Sequence, residues 1–244
     1  DSSTSRGLGD VYKRQDLSAG YGDIIAVRKF SFSVEAGKIR ALVGANGAGK
    51  SSTLMCLMGL VEQKSGSIVM DKQQISNEPI ERRIAAGLAI VPEGRRIFPD
   101  LNVRENLMVG GHIVPTSIMN SGIEMVYEFF PRLSERQTQA AGSLSGGEQQ
   151  MLAMGRALIS RPKILIVDEL SLGLMPKVVD ECYEVLTKLK SESIGILLVE
   201  QNTERAFSVA DDVSALEAGN LFWSGTAEQA RANILLREQL MGVT

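Results

Sequence analysis

The amino-acid sequence predicts an α/β fold built around a mainly parallel sheet. Three short and almost entirely apolar runs, at residues 39–43, 164–167 and 194–199, have the length and composition of buried parallel strands. Helical patterns separate these runs: residues 177–190 stand between the last two, and residues 93–160 contain few β-branched runs. Strands that alternate with helices in this way imply a parallel sheet that is covered on both faces.

The first residues of the chain do not have the character of a folded element. Residues 1–15 are polar and rich in Gly and Ser, and Lys13 and Gln15 stand where a half-buried strand needs apolar side chains. We therefore expect residues 1–15 to be a leader that is foreign to the natural protein or disordered. The domain proper is expected to occupy residues 16–244.

The elements that follow can be predicted in order along the chain. Residues 24–34 alternate as a strand does, and residues 35–38 form a turn that leads into the strand at residues 39–43. Residues 67–71 and residues 89–91 have the composition of two further strands, the second of which is ended by a proline. This first part of the chain is therefore predicted to be rich in strands.

A glycine-rich loop follows the strand at residues 39–43. Residues 44–51 read Gly-Ala-Asn-Gly-Ala-Gly-Lys-Ser and fit the phosphate-binding pattern G-x-x-x-x-G-K-[ST]. The backbone N–H groups of such a loop surround phosphates, Lys50 would reach the β- and γ-phosphates, and the Ser51 hydroxyl would ligate Mg²⁺. A plain glycine-rich turn is the alternative, and it is disfavoured because a helical pattern at residues 52–58 follows directly.

Two carboxylates end the apolar run at residues 164–167. Asp168 and Glu169 stand at its carboxyl end, where open α/β sheets bind their ligands. We expect Asp168 to orient Mg²⁺, directly or through water, and Glu169 to act on the attacking water as general base or polariser. A solvated strand end is the alternative, which the phosphate-binding loop upstream makes less favoured.

A second anion-binding device lies at residues 144–150, which read Leu-Ser-Gly-Gly-Glu-Gln-Gln. Helical apolar spacing follows, so the Ser145 hydroxyl and the N–H groups of Gly146 and Gly147 stand at the start of a helix. Nothing in the sequence suggests two nucleotides per chain. We therefore predict a head-to-tail dimer, in which this device covers the γ-phosphate that the partner holds.

These motifs, in this order and spacing, resemble an ATP-binding cassette subunit of a transporter, from about Leu17 to the C-terminus. The resemblance implies a P-loop NTPase (RecA-like) core at residues 16–92 and 162–244, with an N-terminal antiparallel β subdomain. It also implies an inserted α-helical subdomain at residues 93–161 that carries the signature motif. ATP and Mg²⁺ are the implied ligands, and the loop at residues 171–174 is expected to contact the partner subunit.

The resemblance implies a set of site residues that extends the motifs. For catalysis it implies Glu169, Gln201 and Glu93. For nucleotide binding it implies Tyr21, which would stack on adenine, and Gly44, Ala45, Asn46, Gly47, Ala48, Gly49, Lys50, Ser51, Ser52, Ser145, Gly146, Gly147 and Glu148. For the metal it implies Ser51, Asp168 and Glu93.

Finer features resemble one of the two ATPases of branched-chain amino acid importers. They are residues 91–99, 130–133, 145–153 and 199–202. This narrower resemblance implies that the chain energises the uptake of branched-chain or related hydrophobic amino acids. Close relatives in the same subfamily import urea or short amides, so that substrate class stays open as an alternative.

Three positions depart from the broader family pattern. Most cassette ATPases have a glutamine where Glu93 stands and a histidine where Gln201 stands, and a proline is common where Leu170 stands. An ionised carboxylate cannot donate a hydrogen bond, and an amide cannot carry a proton or a positive charge. We expect slower hydrolysis at the site built on this chain's phosphate-binding loop than at its partner's site, and a loosened loop at residues 171–174.

Composition limits the class of partner. The 244 residues carry a formal net charge of −3, which argues against a protein held to nucleic acid by its overall field. No apolar run approaches the roughly 18–20 residues that span a bilayer, and no secretory h-region is evident at the N-terminus. The resemblance implies a peripheral protein on the cytoplasmic face of the inner membrane, held there by its partners. Its implied partners are a second, non-identical ATPase, two permease subunits and a periplasmic solute-binding protein.

Two other classes of function fit the sequence less well than transport does. A soluble cassette ATPase that acts on nucleic acid or ribosomes usually carries two cassettes or a long coiled coil, and neither is evident in 244 residues. A small-molecule P-loop kinase would leave residues 144–150 unexplained. The sequence therefore favours the transport ATPase.

Overall fold

The computed structural model describes residues 10–241, which form two β-sheets flanked by α-helices. The strands are β1 (Asp10–Tyr21), β2 (Ile24–Glu35), β3 (Ile39–Val43), β4 (Glu62–Met70), β5 (Gln73–Gln74), β6 (Leu88–Val91), β7 (Ile164–Asp168), β8 (Gly195–Glu200), β9 (Asp212–Glu217) and β10 (Asn220–Thr226). The α-helices are α1 (Lys50–Met58), α2 (Ile80–Ala85), α3 (Val103–Gly110), α4 (Thr116–Phe129), α5 (Pro131–Glu135), α6 (Gly146–Leu158), α7 (Pro176–Ser191), α8 (Thr203–Val209), α9 (Ala227–Ala232) and α10 (Ile234–Met241).

The larger sheet has six strands in the order β10-β9-β3-β8-β7-β6. Neighbouring strands from β9 to β6 pair in parallel, and only the edge strand β10 pairs antiparallel, with β9. Every residue of β7 and β8 is buried, as expected for central strands that are covered on both faces. The predicted α/β class with a mainly parallel sheet is confirmed.

The smaller sheet has four antiparallel strands in the order β2-β1-β4-β5. β1 is an interior strand, because it pairs with β2 on one edge and with β4 on the other. The expectation that residues 1–15 stand outside the fold is therefore wrong for residues 10–15, which belong to β1. Backbone pairing on both edges holds this segment, and Tyr12 is fully buried within it. Residues 1–9 lie outside the described part of the chain.

Three apolar clusters cover the six-stranded sheet: one packs on each face of β7, and a third lies around β3, β9, α8 and α9. Alternate residues of β7 divide between the first two: Leu165 and Val167 pack with α6 and α7, whereas Ile164 and Ile166 pack with α1 and the antiparallel sheet. This alternation follows from the period of two along a strand. Because β3, β8 and β7 pair in parallel, their carboxyl ends meet at one edge of the sheet.

Four helices, α3 to α6, lie between β6 and β7 along the chain. The buried side chain of Asn106 fixes the loop that leads into them, since its Oδ1 accepts the Phe98 N–H and its Nδ2 donates to the carbonyl oxygens of Phe98, Leu101 and Asn102. Loop and helices therefore form one packed unit.

Within residues 10–241, no helix has the length and the apolar composition that crossing a membrane requires. Cys56 and Cys182 are buried free thiols, and burial raises the pKa of Cys182 to about 12. His112, the only histidine of the chain, is exposed in the turn after α3.

Candidate functional site

The glycine-rich loop lies between β3 and α1, as its sequence pattern predicts. Its glycines are required by space as well as by conformation. At Gly44, with φ of 152°, a Cβ would stand 2.3 Å from the Leu216 carbonyl oxygen; at Gly49, with φ of 98°, it would stand 2.8 Å from the Ala26 carbonyl oxygen. The loop can therefore pack against β9 and β2 only with glycine at these two places.

Lys50 closes this loop on itself. Its buried ammonium group donates to the carbonyl oxygens of Gly44 at 2.7 Å and Ala45 at 3.1 Å. Burial lowers the pKa of Lys50, and the negative charges of Glu169 and Asp168 oppose that effect. The lysine thus lies between the loop carbonyls and the acidic end of β7.

A cavity of about 310 Å³ opens beside the loop. It is lined by Ile25, Ala26, Gly47, Gly49, Lys50, Ser51, Ser52 and Ala218. Tyr21, the last residue of β1, pairs with Ile24 next to this lining and is 55% exposed. Its ring is therefore exposed to solvent rather than packed in the core.

Asp168 ends β7 with an unsatisfied acceptor. Its carboxyl group is buried, and its Oδ1 has no hydrogen-bond partner among the residues that the structure describes. Burial, reinforced by the negative charges of Glu169 and Glu93, raises the pKa of Asp168 to about 6. A buried carboxylate oxygen without a donor has the chemistry of a cation ligand, so Asp168 fits Mg²⁺.

Glu169 follows in a strained conformation. Its φ of 48° lies in the left-handed region, which non-glycine residues adopt at a cost. Its N–H donates to the Val199 carbonyl oxygen at 2.9 Å, and its Oε1 accepts from the Gln201 side-chain amide at 2.6 Å. The structure therefore joins Gln201 directly to Glu169.

Glu93 lies in the exposed loop after β6, where it acts on Asp168 through its charge. The described contacts give Glu93 no hydrogen-bond partner of its own. Asp168, Glu169, Lys50 and Glu93 thus share one electrostatic environment at the carboxyl edge of the sheet. Within residues 10–241, no three His, Cys, Asp or Glu side chains are arranged to hold a metal. Any Mg²⁺ here would therefore need phosphate and water oxygens to complete its ligands.

The signature segment forms the N-terminus of α6. Ser145 is the N-cap, and a capping box joins it to Glu148: the Glu148 carboxylate accepts from the Ser145 N–H at 2.9 Å and from its hydroxyl at 2.7 Å. Arg136 pairs with the other carboxylate oxygen at 2.9 Å. Burial raises the pKa of Glu148, but the Ser145 hydrogen bonds and Arg136 more than offset it, so the pKa is lowered overall. The N-terminus of α6 is therefore rigidly formed.

The structure places this signature segment apart from the loop at residues 44–51. Its described neighbours are Arg95, which lies against Gly146 and donates to Gln149 at 3.2 Å, and Val178, which packs on Gly147. The two predicted anion-binding devices are thus separate within one chain. No residue of the signature segment lines the cavity beside the glycine-rich loop.

Sequence reasoning missed two side chains that organise these segments. Glu200 is 1% exposed at the end of β8 and accepts three hydrogen bonds, described below. Arg156 of α6 donates to the Arg96 carbonyl oxygen at 2.6 Å and lies 4.9 Å from the centre of the Phe98 ring. The sequence contains a signal for Glu200, because a carboxylate at the end of an apolar strand is the same pattern that identified Asp168. The helical spacing of α6 contains no signal for the role of Arg156.

Comparison with known proteins adds the family. The family model described as ABC transporter matches residues 27–171, more than half of the chain. The chain is 42% identical over 226 residues to the high-affinity branched-chain amino acid transport ATP-binding protein BraG of Pseudomonas aeruginosa, with 93% of the chain and 97% of that protein covered. It is 32% identical over 228 residues to the probable branched-chain amino acid transport ATP-binding protein LivF of Archaeoglobus fulgidus, with 93% and 97% covered.

Solved structures agree with this relationship at the level of the fold. A nucleotide-free ATP-binding cassette from an ABC transporter superposes with a TM-score of 0.86 at 22% identity, covering 96% of this chain and 98% of that one. An ATP-binding subunit of an ABC transporter superposes with a TM-score of 0.82 at 26% identity, covering 95% and 98%. The chain belongs to the ABC transporter family. The ATP-binding domain of this family hydrolyses ATP, so the chain is an ATPase.

Proposed function

We propose that this chain is the ATP-hydrolysing subunit of an importer for branched-chain or related hydrophobic amino acids. The observation that carries the proposal is the 42% identity to BraG over 93% of the chain. The loop at residues 44–51, Asp168 and Glu169 support it, because they follow β3 and end β7, whose carboxyl ends lie at one edge of the sheet. Chains of similar length also serve other substrates: LptB of Haemophilus influenzae, a lipopolysaccharide export ATP-binding protein, is 30% identical over 236 residues. The higher identity to BraG favours amino acids.

The geometry supports a mechanism for hydrolysis. The backbone N–H groups of residues 44–51 would surround the phosphates, Lys50 would transfer its hydrogen bonds from loop carbonyls to phosphate oxygens, and Tyr21 would stack on adenine. Glu169 would accept a proton from the water that attacks the γ-phosphorus, while the Gln201 amide holds its carboxylate in place. Asp168 and the Ser51 hydroxyl, with Glu93 as a further oxygen ligand, would hold Mg²⁺, which neutralises charge on the phosphate oxygens.

The second half of the pocket is proposed to come from a partner ATPase. Ser145, Gly146 and Gly147 would close over the γ-phosphate held by the other subunit, with Glu148 fixing Ser145. Two apolar side chains of the loop at residues 171–175 stand in solvent, Leu172 at 57% and Met175 at 72% exposure. These exposures support burial of this loop against the partner, since large apolar side chains seldom stand side by side in solvent without a function.

A groove between the core and α3 supports a docking site for the permease subunits. It measures about 240 Å³, and its apolar side chains include Phe98, Val109 and Ile113, each more than a third exposed. Arg156 reaches the same groove and holds both the Arg96 carbonyl and the Phe98 ring. A permease helix in this groove would therefore act on α6, whose N-terminus is the signature segment.

The remaining parts of the proposal concern assembly and place in the cell. We propose a heterodimer with a non-identical ATPase, two permease subunits and a periplasmic solute-binding protein, on the cytoplasmic face of the inner membrane. Within the chain, the core would comprise residues 10–92 and 162–244, with the helical insertion at residues 93–161. Importers of urea or short amides use the same architecture, which makes them the competing substrate class.

The test is uptake by the assembled transporter. The chain is co-expressed with permease, partner ATPase and solute-binding subunits of a branched-chain amino acid importer. The complex is reconstituted in vesicles and supplied with radiolabelled leucine, urea or acetamide. We expect ATP-dependent leucine uptake with the native chain and none with E169Q, which keeps the side-chain size. Uptake of urea or acetamide in place of leucine would overturn the substrate class, and hydrolysis unchanged by E169Q would overturn the assignment of the site.

A further inference from the structure

Glu200 is a buried carboxylate that the proposed hydrolysis step does not use. It ends β8 next to Gln201 and is 1% exposed. Its Oε1 accepts from the Ser171 N–H at 3.0 Å and from the Tyr183 hydroxyl at 2.9 Å, and its Oε2 accepts from the Ser171 hydroxyl at 2.9 Å. Charge-assisted hydrogen bonds to a buried carboxylate are strong and directional, so this contact fixes Ser171.

Ser171 opens the loop that is proposed to face the partner ATPase. Both of its hydrogen-bond donors point at Glu200, so the backbone and the side chain are fixed together. The Tyr183 hydroxyl of α7 donates to the same carboxylate. Burial, reinforced by the negative charge of Glu200 and by this hydrogen bond, raises the pKa of the Tyr183 hydroxyl. The tyrosine therefore remains a neutral donor at every physiological pH.

The contacts of Glu200 continue those of its two neighbours. Three consecutive residues at the end of β8 each hold the segment that follows Asp168: the Val199 carbonyl accepts the Glu169 N–H, Glu200 accepts from Ser171, and the Gln201 amide donates to Glu169. The strained backbone at Glu169, with φ of 48°, lies inside this series. Such strain persists only where the surroundings over-determine the conformation.

Leu170 shows why an extra restraint is needed here. It stands where the family commonly has a proline, and its side chain is fully buried in the core beside α6 and α7. Leucine does not fix its own φ as proline does. The hydrogen bonds from residue 171 to Glu200 supply a restraint on the turn that the side chain at position 170 does not.

We propose that Glu200 is a positioning residue, which fixes the catalytic Glu169 and the partner-facing loop at residues 171–174 as one unit. This inference rests on the proposed role of Glu169 in hydrolysis. Displacement of the loop by the partner would be transmitted through Ser171 and Glu200 to the strand end that carries Gln201. The sequence predicted that Leu170 would loosen the loop at residues 171–174. Instead, the hydrogen bonds of Ser171 hold this loop to the buried Glu200 carboxylate.

The activity test separates positioning from nucleotide binding. In E200A and S171A, we expect kcat for ATP hydrolysis by the chain assembled with its partner ATPase and permease to fall about tenfold or more, as loss of a hydrogen bond to a charged group predicts. KM for ATP should stay within about twofold, because the loop at residues 44–51 is untouched. E200Q should recover most of the activity, since its carbonyl can accept from the Ser171 N–H while its amide donates to the Ser171 oxygen.

The matched control is S76A. Ser76 is a buried serine whose hydroxyl accepts the Ile68 N–H at 2.9 Å in the antiparallel sheet, remote from the end of β8. We expect S76A to lose stability without a selective loss of kcat. Equal kcat in S171A and the native chain, or equal losses in S171A and S76A, would overturn the proposal.

Amide hydrogen exchange tests the same geometry without activity. In the native chain, the peptide that covers residues 169–175 should be protected, and E200A should exchange faster there while S76A does not. Unchanged exchange in E200A would overturn the proposal. If E169Q retains full hydrolysis, the proposed function of Glu169 fails, and the exchange result still reports on the restraint by Glu200.

Discussion

Two carboxylates end adjacent parallel strands in this molecule, and their surroundings are opposite. Asp168 at the end of β7 has a buried oxygen without a donor and a pKa raised to about 6. Glu200 at the end of β8 is buried as deeply, yet both of its oxygens accept hydrogen bonds from Ser171 and Tyr183. The two strands pair directly, so position in the fold does not explain the difference.

The difference between the two carboxylates shows which property suits a carboxylate to bind a cation. Burial of a carboxylate is common to both groups, but only Asp168 retains an acceptor that a cation could satisfy. Glu200 has its acceptors filled by the protein, which suits a structural restraint. The same residue pattern, an apolar strand that ends in an acid, therefore has two outcomes that depend on which donors the fold supplies.

The largest expected effect comes from the same chemical change at both strand ends. D168N should lower ATP hydrolysis by roughly two orders of magnitude or more, because a neutral amide replaces the charged ligand proposed for Mg²⁺. E200Q should lower ATP hydrolysis only a few-fold, because the glutamine carbonyl can still accept hydrogen bonds and its amide can donate to the Ser171 oxygen. Steady-state ATPase assays at saturating Mg-ATP measure both, and similar losses in the two variants would break the comparison.

A smaller effect, opposite in sign at the two sites, is expected in stability. The folded-state pKa of Asp168 lies above its unfolded value, so its proton favours the folded state, and this contribution is lost as the pH rises through about 6. Without nucleotide and metal at pH 7.5, D168N should stabilise the chain by roughly 2–3 kcal/mol. E200A should destabilise it by about 2 kcal/mol or more, because the Tyr183 hydroxyl and the Ser171 N–H lose their acceptor.

Urea denaturation, followed by circular dichroism, measures both free energies of unfolding. The control is S76A, which deletes a buried hydroxyl outside the site. Destabilisation by D168N would show that the Asp168 carboxylate is satisfied in solution, and the contrast between the two strand ends would disappear.

The smallest expected effect is a shift in pH dependence. Glu93 raises the pKa of Asp168 more than Glu200 does, so the acid limb of kcat/KM should move to lower pH in E93Q, by less than about one pH unit. The limb should move less in E200Q. Titration of ATP itself is common to all three proteins, so the differences report the chain. A limb that stays at the same pH in E93Q would contradict the assigned environment of Asp168.

Local patterns predicted the parallel sheet, the phosphate-binding loop and the position of α6, because each depends on residues close together in sequence. The central runs of β7 and β8 are apolar throughout, and the loop at residues 44–51 needs glycines at fixed places. Such features can be identified in a single sequence. Contacts between residues that are far apart in the sequence cannot be identified in this way.

The first strand shows the limit most clearly. Lys13 breaks the expected alternation, so residues 10–15 were predicted to lie outside the fold. In the structure β1 pairs on both edges: Tyr12, for example, pairs with Val34 of β2 and with Met70 of β4. Likewise, Glu200 meets Ser171 across 29 positions, and Arg156 meets Arg96 across 60. These contacts depend on tertiary packing, which overrides local patterns.

The hydrogen bonds of Lys50 have a consequence for how quickly the empty protein can take up its ligand. Two backbone oxygens already align the ammonium group. Under the proposed function, an arriving triphosphate would therefore only have to replace these two acceptors with its own oxygens. Recognition then needs little rearrangement of the chain. The slower events of a transport cycle would accordingly belong to the meeting and parting of whole subunits.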